Sequence, residues 1–244
     1  MASEITAEQI AEIEELVARA QAAAKIIETY DQARVDHLCQ AVCAAVYPLK
    51  VWGNLCDEAV DETRLGDKVT KRNKRNKLKL ILRDCLRQPS VGIIEENKEK
   101  GLVRYGKPVG VIGTLVPTTN PCLTPAGQII YAIKARDVLI CSPHPRAKNV
   151  TNKCIDIIRE ALVKEGAPAD IIQGIKNPSI AMSQELMKRV NLVIATGGRP
   201  MVKAAYSSGT PAFGSGAGNA TEVIDETANT PERIAEVAQN LPLI

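Results

Sequence analysis

The spacing of apolar residues divides the chain into a helical first part and a mixed second part. Thr6 and Gln9 are spaced as in a capping box. After them, apolar side chains recur at helical intervals at Ile10, Ile13, Leu16, Val17 and Ala20. Further helices are expected from about Asp31, around Pro48 and through a basic segment that ends before Pro89. The pattern therefore predicts that residues 1–88 are wholly helical.

From Val91 onward the pattern changes to short runs of β-branched residues. "VGIIEEN" and "GLVRYGK" predict two strands joined by a charged turn at residues 98–100, and the apolar "PVGVIGTLVP" is typical of a buried strand. Strands and helices then alternate, with helices from about Pro121, at Lys148–Glu165, from Ser179 and from Arg199, and strands at "DVLICS", "DIIQGI", "NLVIAT" and "PAFG".

Alternation at this spacing predicts βαβ units. The expected fold class is α/β, a Rossmann-like parallel sheet with helices on both faces, preceded by an N-terminal helical segment. The pattern divides the chain into three regions: helices at 1–88, a strand pair at 89–108 and the parallel sheet at 109–244. The 45 % hydrophobic content is supplied by Ala, Ile, Val and Leu, which suits such a core.

One segment of the helical part concentrates positive charge. A net charge of +3 does not predict a nucleic-acid partner, but residues 67–84 contain eight basic side chains. A solvated amphipathic helix is the main interpretation of this segment, and binding of a phosphate-rich or acidic partner is the alternative.

Cysteine and histidine usage indicates an intracellular protein without a metal site. None of the seven cysteines forms a Cys-x-x-Cys pair, and only two histidines are present, so we expect no metal and reduced, buried thiols. No apolar run reaches the roughly 18 residues of a membrane span, and no signal peptide is recognisable. We expect a cytoplasmic protein.

Four loops come after the predicted parallel strands, where such sheets bind ligands. They are "VPTTNPC" (116–122), "SPHPRAK" (142–148), "TGGRP" (196–200) and "GSGAGN" (214–219). We expect all four to open on the same edge of the sheet.

The two glycine loops lead into different kinds of structure. In "TGGRP" a strand delivers Gly197 and Gly198 to the start of a helix, which suits the close approach of a phosphate, although a plain strand-to-helix turn is an equal alternative. Gly214, Gly216 and Gly218 are spaced like a dinucleotide fingerprint, but they lead into a short β-prone stretch instead of a helix. They therefore need another explanation.

The other two loops carry candidate side chains. Asn120 is expected to project into the cleft as an oxyanion donor, with a helix cap as the commoner role of such a residue. Cys122 has no local base to activate it, so core packing is preferred to a nucleophilic role. "SPHPRAK" is held extended by prolines and lies where a cofactor ribose or phosphate could rest, with basic residues facing solvent as the alternative.

Together the loops resemble the CoA-acylating branch of the aldehyde dehydrogenase superfamily. The residues that carry this resemblance are "PVGVIGTLVPTTNP", "SPHPRAK", "ATGGRPMVKAAYSSGTPAFGSGAGN" and "VIDETA". In that branch a cysteine thiolate attacks the aldehyde, hydride passes to NAD, and CoA removes the acyl group. The resemblance implies an oxidoreductase that acts on a short-chain aldehyde with NAD and CoA, and NADP is not excluded.

The resemblance also implies residue roles. Asn120 would stabilise the oxyanion, Thr118 and Thr119 would line the nicotinamide side, and the pyrophosphate would lie by Thr196, Gly197 and Gly198. Ser142, Pro143 and His144 would lie by the adenosine ribose. Gly214 and Gly216 would also bind cofactor, with Gly214 standing where hydrolytic relatives have a glutamate base and leaving room for CoA. Hydrolytic relatives have Pro-x-Asn where this chain has Pro-Thr-Thr-Asn.

No cysteine of this sequence matches the family's nucleophile, which lies beyond the glycine loop at the start of a catalytic domain. The closing "NLPLI" also differs from the family's continuation, so we expect a truncated or frame-shifted product, or the cofactor domain alone, inactive by itself. The alternative is a non-catalytic truncated paralogue that assembles with a full-length subunit through the basic helix and the strand pair.

The resemblance leaves the assembly and the aldehyde open. A homo-oligomer, or an assembly with a full-length subunit, is expected in the cytoplasm or in a bacterial microcompartment, without membrane or nucleic-acid partners. Acetaldehyde, propionaldehyde, succinic semialdehyde and sulfoacetaldehyde all remain candidates. A semialdehyde dehydrogenase for phosphorylated substrates is a weaker alternative, because its loop signatures differ from "VPTTNP".

Overall fold

The structure, a computed structural model, describes residues 5–218, 221 and 223–240. The first part of the chain forms five helices: Ala7–Ile27 (α1), Gln32–Val46 (α2), Leu49–Thr63 (α3), Lys68–Asn73 (α4) and Arg75–Leu86 (α5). Two strands come next, Gly92–Asn97 (β1) and Leu102–Gly106 (β2). The remainder consists of Val111–Val116 (β3), Leu123–Ala135 (α6), Val138–Pro143 (β4), Lys148–Lys164 (α7), Ile172–Gly174 (β5), Ile180–Arg189 (α8), Leu192–Thr196 (β6), Arg199–Tyr206 (α9), Ala212–Ser215 (β7) and Pro231–Asn240 (α10).

Local sequence signals start the N-terminal helices as predicted. Thr6 Oγ1 accepts the Gln9 N–H at 3.2 Å, and Gln9 Oε1 accepts the Thr6 N–H at 3.2 Å, so the capping box is confirmed. Asp31 caps α2 by accepting the Arg34 N–H. The apolar face of α1 is buried against β4 and α8, which ties the N-terminal helices to the rest of the core.

The basic segment departs from the prediction of one solvated helix. It forms two helices, α4 and α5, which meet at Lys74. Two side chains of α3 stabilise the break between the helices. Trp52 Nε1 donates to the Arg72 carbonyl at 3.0 Å, and the Cys56 thiol donates to the Lys71 carbonyl. As a result Lys71 is buried, and the expectation of a fully solvated face is wrong at this residue.

The predicted strand pair is confirmed as an antiparallel hairpin. β1 pairs with β2 from Gly92 opposite Gly106 to Asn97 opposite Leu102, and together they form a separate two-stranded sheet. The hairpin leaves large apolar side chains exposed, among them Ile93, Leu102 and Tyr105.

The main sheet is parallel and five-stranded, with the order β5-β4-β3-β6-β7. Its central strands β3 and β4 are buried along their whole length, as the apolar runs predicted. Helices α6 and α7 pack together with α2, whereas α8 packs with α1 and α9, so helices flank the sheet. The predicted α/β fold class is confirmed. The division into three regions remains a prediction.

The strand order reverses direction between β3 and β6. From β3 the chain adds β4 and β5 on one side, then returns to add β6 and β7 on the other. Such a switch point opens a crevice at the carboxyl ends of the two strands that flank it. Beyond β7, the β-prone stretch expected at 220–225 lies partly outside the described residues and forms no strand in those that are described. "NLPLI" lies outside them except at its first residue.

Helix composition also bears on membrane association. None of the helices formed by the described residues combines the length and apolar character that crossing a lipid bilayer requires.

Candidate functional site

A cavity of about 550 Å³ opens at the switch point, where the loops after β3, β4, β6 and β7 meet. The expectation that these four loops share one edge is confirmed. Nine predicted site residues line the cavity: Thr118, Thr119, Ser142, Pro143, His144, Thr196, Gly197, Gly198 and Gly216. Asn120 and Gly214 do not line it.

The "TGGRP" loop presents the start of α9 to the cavity. Gly198 is the N-cap and Pro200 lies at an early helical position, as predicted. The N–H groups of Gly198 and Arg199 have no intrahelical partner, so they are free to bind a ligand oxygen. A Cβ atom placed on Gly197 or Gly198 would meet its nearest neighbour at 3.7 Å, which is ordinary contact. The fold therefore tolerates a side chain at these positions, and the space beside them stays open.

A chain of hydroxyl groups lines another wall. Ser183 donates to the Ser179 carbonyl at 2.8 Å, so the 2.8 Å contact between the Ser142 and Ser183 hydroxyls has Ser142 as donor. Ser179, Ser183 and the exposed apolar side chain of Ile180 line the cavity from the start of α8 and were not predicted as site residues. Ser179 could be recognised as a helix cap, but no local signal shows that α8 packs beside the cavity.

Hydrogen bonds hold the "SPHPRAK" loop at His144 and Arg146. The His144 N–H donates to the Val116 carbonyl, and His144 Nδ1 accepts the Arg146 N–H at 3.1 Å. Burial, with the nearby Arg146 charge, lowers the pKa of His144, so the imidazole is neutral at pH 7. Arg146 donates to the Thr63 carbonyl at 2.7 Å rather than pointing freely into solvent, which joins this loop to α3.

Asn120 is turned toward the basic helices instead of into the cavity, where we expected its amide. Its Oδ1 accepts a hydrogen bond from Lys74 Nζ at 2.9 Å, and its Nδ2 lies 3.5 Å from Thr119 Oγ1. Because an ammonium group can only donate, Lys74 fixes the amide with its NH₂ group available as a donor. The helix-cap alternative is not seen, since α6 is capped at Cys122 without a side-chain hydrogen bond.

Lys71 and Lys74 are two further residues that the sequence interpretation did not assign to the site. Lys71 Nζ donates to the Thr119 carbonyl at 3.4 Å, so both lysines reach the loop after β3. They line a second concavity, of about 260 Å³, which shares Thr119 with the main cavity. Their position in a basic run, where most side chains face solvent, gave no signal for this role.

Cys122 is part of the core, as preferred from the sequence. Its side chain is buried, and its Sγ faces the Leu55 carbonyl at 3.8 Å. Hydrogen bonding to the Cys154 thiol and burial raise the pKa of Cys122 well above its usual range, so it carries no thiolate at neutral pH. All seven cysteines are free and buried.

The structure gives Gly214 a packing role. A Cβ atom there would lie 2.5 Å from Val202 Cγ1 and 2.7 Å from Tyr206 Cε2, both on α9. The Tyr206 hydroxyl also accepts the Gly214 N–H at 2.9 Å. The missing side chain therefore points under α9, whereas we expected it to leave room for CoA. The last residue of "GSGAGN", Asn219, lies outside the described residues.

Comparisons with known proteins identify the family of the chain. The sequence model described as "Aldehyde dehydrogenase family" matches residues 74–241. A sulfoacetaldehyde dehydrogenase from Acholeplasma sp is 46 % identical over 224 residues, which are 91 % of this chain and 46 % of that protein. The chain thus spans about half the length of this curated relative.

Solved structures extend the likeness to the fold. An acetylating aldehyde dehydrogenase from Geobacillus thermoglucosidasius superposes with a TM-score of 0.83 at 35 % identity, over 87 % of this chain and 47 % of that one. Propionaldehyde dehydrogenase from Rhodopseudomonas palustris, solved with bound propionyl-CoA, gives 0.74 at 27 % identity over 85 % and 46 % of the two chains. With the family match over most of its length, the chain belongs to the aldehyde dehydrogenase family, and its relatives include the CoA-acylating branch.

Proposed function

We propose that this chain is the NAD-binding portion of a CoA-acylating aldehyde dehydrogenase, which converts an aldehyde, CoA and NAD to an acyl-CoA and NADH. The observation that carries this proposal is the cavity at the switch point, because it collects residues from four separate loops into one space. Sheets of this type bind dinucleotides at that place.

The residues present fit a dinucleotide. The start of α9 offers free N–H groups and a favourable dipole to a pyrophosphate, and Thr196, Gly197 and Gly198 would hold it there. Ser142, Pro143 and His144 would lie beside the adenosine ribose, and a neutral imidazole next to a ribose leaves a hydrogen-bonding nitrogen without an added charge. No acidic residue in "SPHPRAK" would repel the 2′-phosphate of NADP.

The loop after β3 would contact the nicotinamide and the aldehyde. When bound, NAD supplies the hydride acceptor. Thr118 and Thr119 would line its nicotinamide side, and the Asn120 NH₂ group, oriented by Lys74, would donate to the oxygen that becomes negative when the aldehyde is attacked. The Asn120 side chain would have to present this donor to an aldehyde at the border between the two cavities.

We propose that none of the seven cysteines in this sequence supplies the attacking thiolate. All seven cysteines are buried, and burial raises the pKa of Cys56 to about 12, so that thiol stays protonated at neutral pH. We therefore expect the chain to bind NAD without oxidising aldehydes by itself.

Calorimetric titration of the purified chain with NAD, NADP and CoA tests this proposal, alongside an assay of aldehyde-dependent NADH formation. We expect weak NAD binding and no turnover. Absence of NAD binding at millimolar cofactor would overturn the main claim. Turnover that disappears in Cys122→Ser would instead make Cys122 the nucleophile.

The exposed hairpin favours a second function, assembly with another subunit. Ile93, Leu102 and Tyr105 are each more than half exposed on the β1–β2 hairpin, and apolar patches of this kind often mark protein interfaces. In this alternative the chain would be a non-catalytic module. Sedimentation of the chain with and without a full-length acylating enzyme would show whether a mixed oligomer forms.

A further inference from the structure

The second concavity lies beside the residue proposed to hold the aldehyde oxygen. Lys71 and Lys74 form part of its wall, and Lys74 Nζ is 2.9 Å from Asn120 Oδ1. Thr119 is shared with the main cavity, so a molecule in this concavity can reach the space proposed for the nicotinamide.

Within the described residues the two lysines have no acidic partner, unlike Lys68 and Arg72 on the same segment. Lys68 pairs with Asp61 and Arg72 pairs with Asp57, but none of the ion pairs in the described part of the chain includes Lys71 or Lys74. Lys71 keeps only 8 % of its surface exposed. A buried ammonium group without a counter-charge is costly, so this position favours an anion from outside.

The acidic group of the concavity forms no ion pair with either lysine. Asp67 lies on the wall, and its carboxylate accepts the Thr70 N–H at 2.8 Å and caps α4, without coming within ion-pair distance of Lys71 or Lys74. The Lys71 ammonium has the Thr119 carbonyl as its hydrogen-bond acceptor, at the long distance of 3.4 Å. Burial and the neighbouring Lys74 charge lower the pKa of Lys71, which is the direction expected for two cations without an anion between them.

We propose that the aldehyde substrate carries an anionic group, a carboxylate or a sulfonate, which Lys71 and Lys74 bind while the aldehyde oxygen accepts from the Asn120 amide. This inference rests on the proposed function. Lys74 touches Asn120 directly, so the anion and the carbonyl must be separated by only a short carbon chain. The lysines would thus select a short, negatively charged aldehyde over a neutral one.

Unreactive alcohol analogues allow the chain itself to be tested. The probes are 2-hydroxyethanesulfonate, 3-hydroxypropanoate and the neutral propan-1-ol, titrated into isotopically labelled protein and followed by NMR. We expect both anions to shift the signals of Thr119, Asn120 and the two lysines saturably, and propan-1-ol to leave them in place. The relative affinity of the two anions distinguishes a sulfonate from a carboxylate substrate.

Three variants locate the binding. Lys74→Gln, at a half-buried position, and Lys71→Gln should each weaken anion binding about ten-fold, since each removes a charge-assisted hydrogen bond. Lys68→Gln, on the same helix as Lys71 but paired with Asp61, is the matched control and should bind as the parent does. Because Lys71 is buried, its variant can lose stability, and Lys74→Gln then decides the test.

Any of three outcomes would overturn the inference. The first is equal binding of propan-1-ol and the anions, and the second is anion binding that Lys74→Gln leaves unchanged. The third is displacement of the anions by NAD or CoA, which would mean that the lysines bind cofactor phosphate. NAD binding measured on the same samples separates the two proposals: if NAD binds but the anions do not, only the substrate class is wrong, and if NAD fails to bind, the proposed function is wrong.

Discussion

The two edges of the parallel sheet are built from the same five strands but use polar side chains in opposite ways. At the amino edge, Asp137 is 2 % exposed and its Oδ1 accepts the N–H groups of Val109 and Gly110 at 2.6 and 2.7 Å. Asn191 Oδ1 accepts the Val111 N–H there at 2.9 Å. These side chains close the turns that precede β3, and their hydrogen-bonding capacity serves the fold.

At the carboxyl edge several polar groups keep hydrogen-bonding capacity or charge that the fold does not use. The start of α9 leaves N–H groups without intrahelical partners, and Lys71 and Lys74 have no acidic partner among the described residues. Polar residues next to a sheet edge therefore have two different roles. Those that complete backbone hydrogen bonds stabilise the fold, and those that keep a free donor or an unpaired charge mark the site. Four predictions test this distinction.

The largest expected effect is at the amino edge. Asp137→Ala leaves the part-buried N–H groups of Val109 and Gly110 without their charged acceptor, and we expect a loss of about 3 kcal/mol in the free energy of unfolding. Asp137→Asn keeps an acceptor oxygen and should lose much less. Urea denaturation measures both. A loss below about 1 kcal/mol for Asp137→Ala would show that water replaces the carboxylate at this edge.

The same residue predicts a pH dependence. Burial raises the pKa of Asp137 to about 6 despite the two N–H donors, so the folded state binds more protons than the unfolded state between about pH 4 and 6. Stability is therefore greatest below pH 4 for this group and falls as the pH rises to 6, by about 2 to 3 kcal/mol. Subtracting the unfolding free energy of Asp137→Asn from that of the parent isolates this contribution. We expect the result to fall between pH 4 and 6, and a rise over that range would contradict the prediction.

A glycine at the carboxyl edge should behave as a packing residue. Gly214→Ala places a Cβ atom within 2.7 Å of both Val202 and Tyr206, and overpacking of this kind costs about 2 kcal/mol. Gly216→Ala is the control, because its nearest neighbour lies at 4.0 Å. Thermal and urea denaturation compare the two. If both variants are equally stable, α9 shifts easily and Gly214 can still serve to make room for CoA.

The smallest effect on stability, but a clear effect on binding, is expected at Gly197. A Cβ atom there makes ordinary contacts in the fold, but the side chain enters the space proposed for the pyrophosphate. Gly197→Val should therefore weaken NAD binding about ten-fold. Its free energy of unfolding should stay within about 0.5 kcal/mol of the parent value. Gly218→Val, outside the cavity lining, is the matched control. Unchanged NAD affinity in Gly197→Val would place the pyrophosphate elsewhere.

Most of the fold could be predicted because its signals are local. The capping residues Thr6, Asp31 and Ser179 set helix starts within one turn, and the apolar runs of β3 and β4 identify buried strands from neighbouring residues alone. The site could be predicted in part for a related reason. In a parallel α/β sheet every strand ends at the same edge, so the order of elements brings the four loops together.

Local patterns in the sequence establish the order of helices and strands, the hairpin, and the loops that meet at the switch point, because hydrophobic period and capping chemistry act over a few residues. Packing between elements is what makes Trp52 and Cys56 break the basic segment, brings Lys74 to Asn120, and places the Gly214 position under α9. These contacts join different elements of the fold, and their geometry depends on how whole helices pack, which no local pattern encodes.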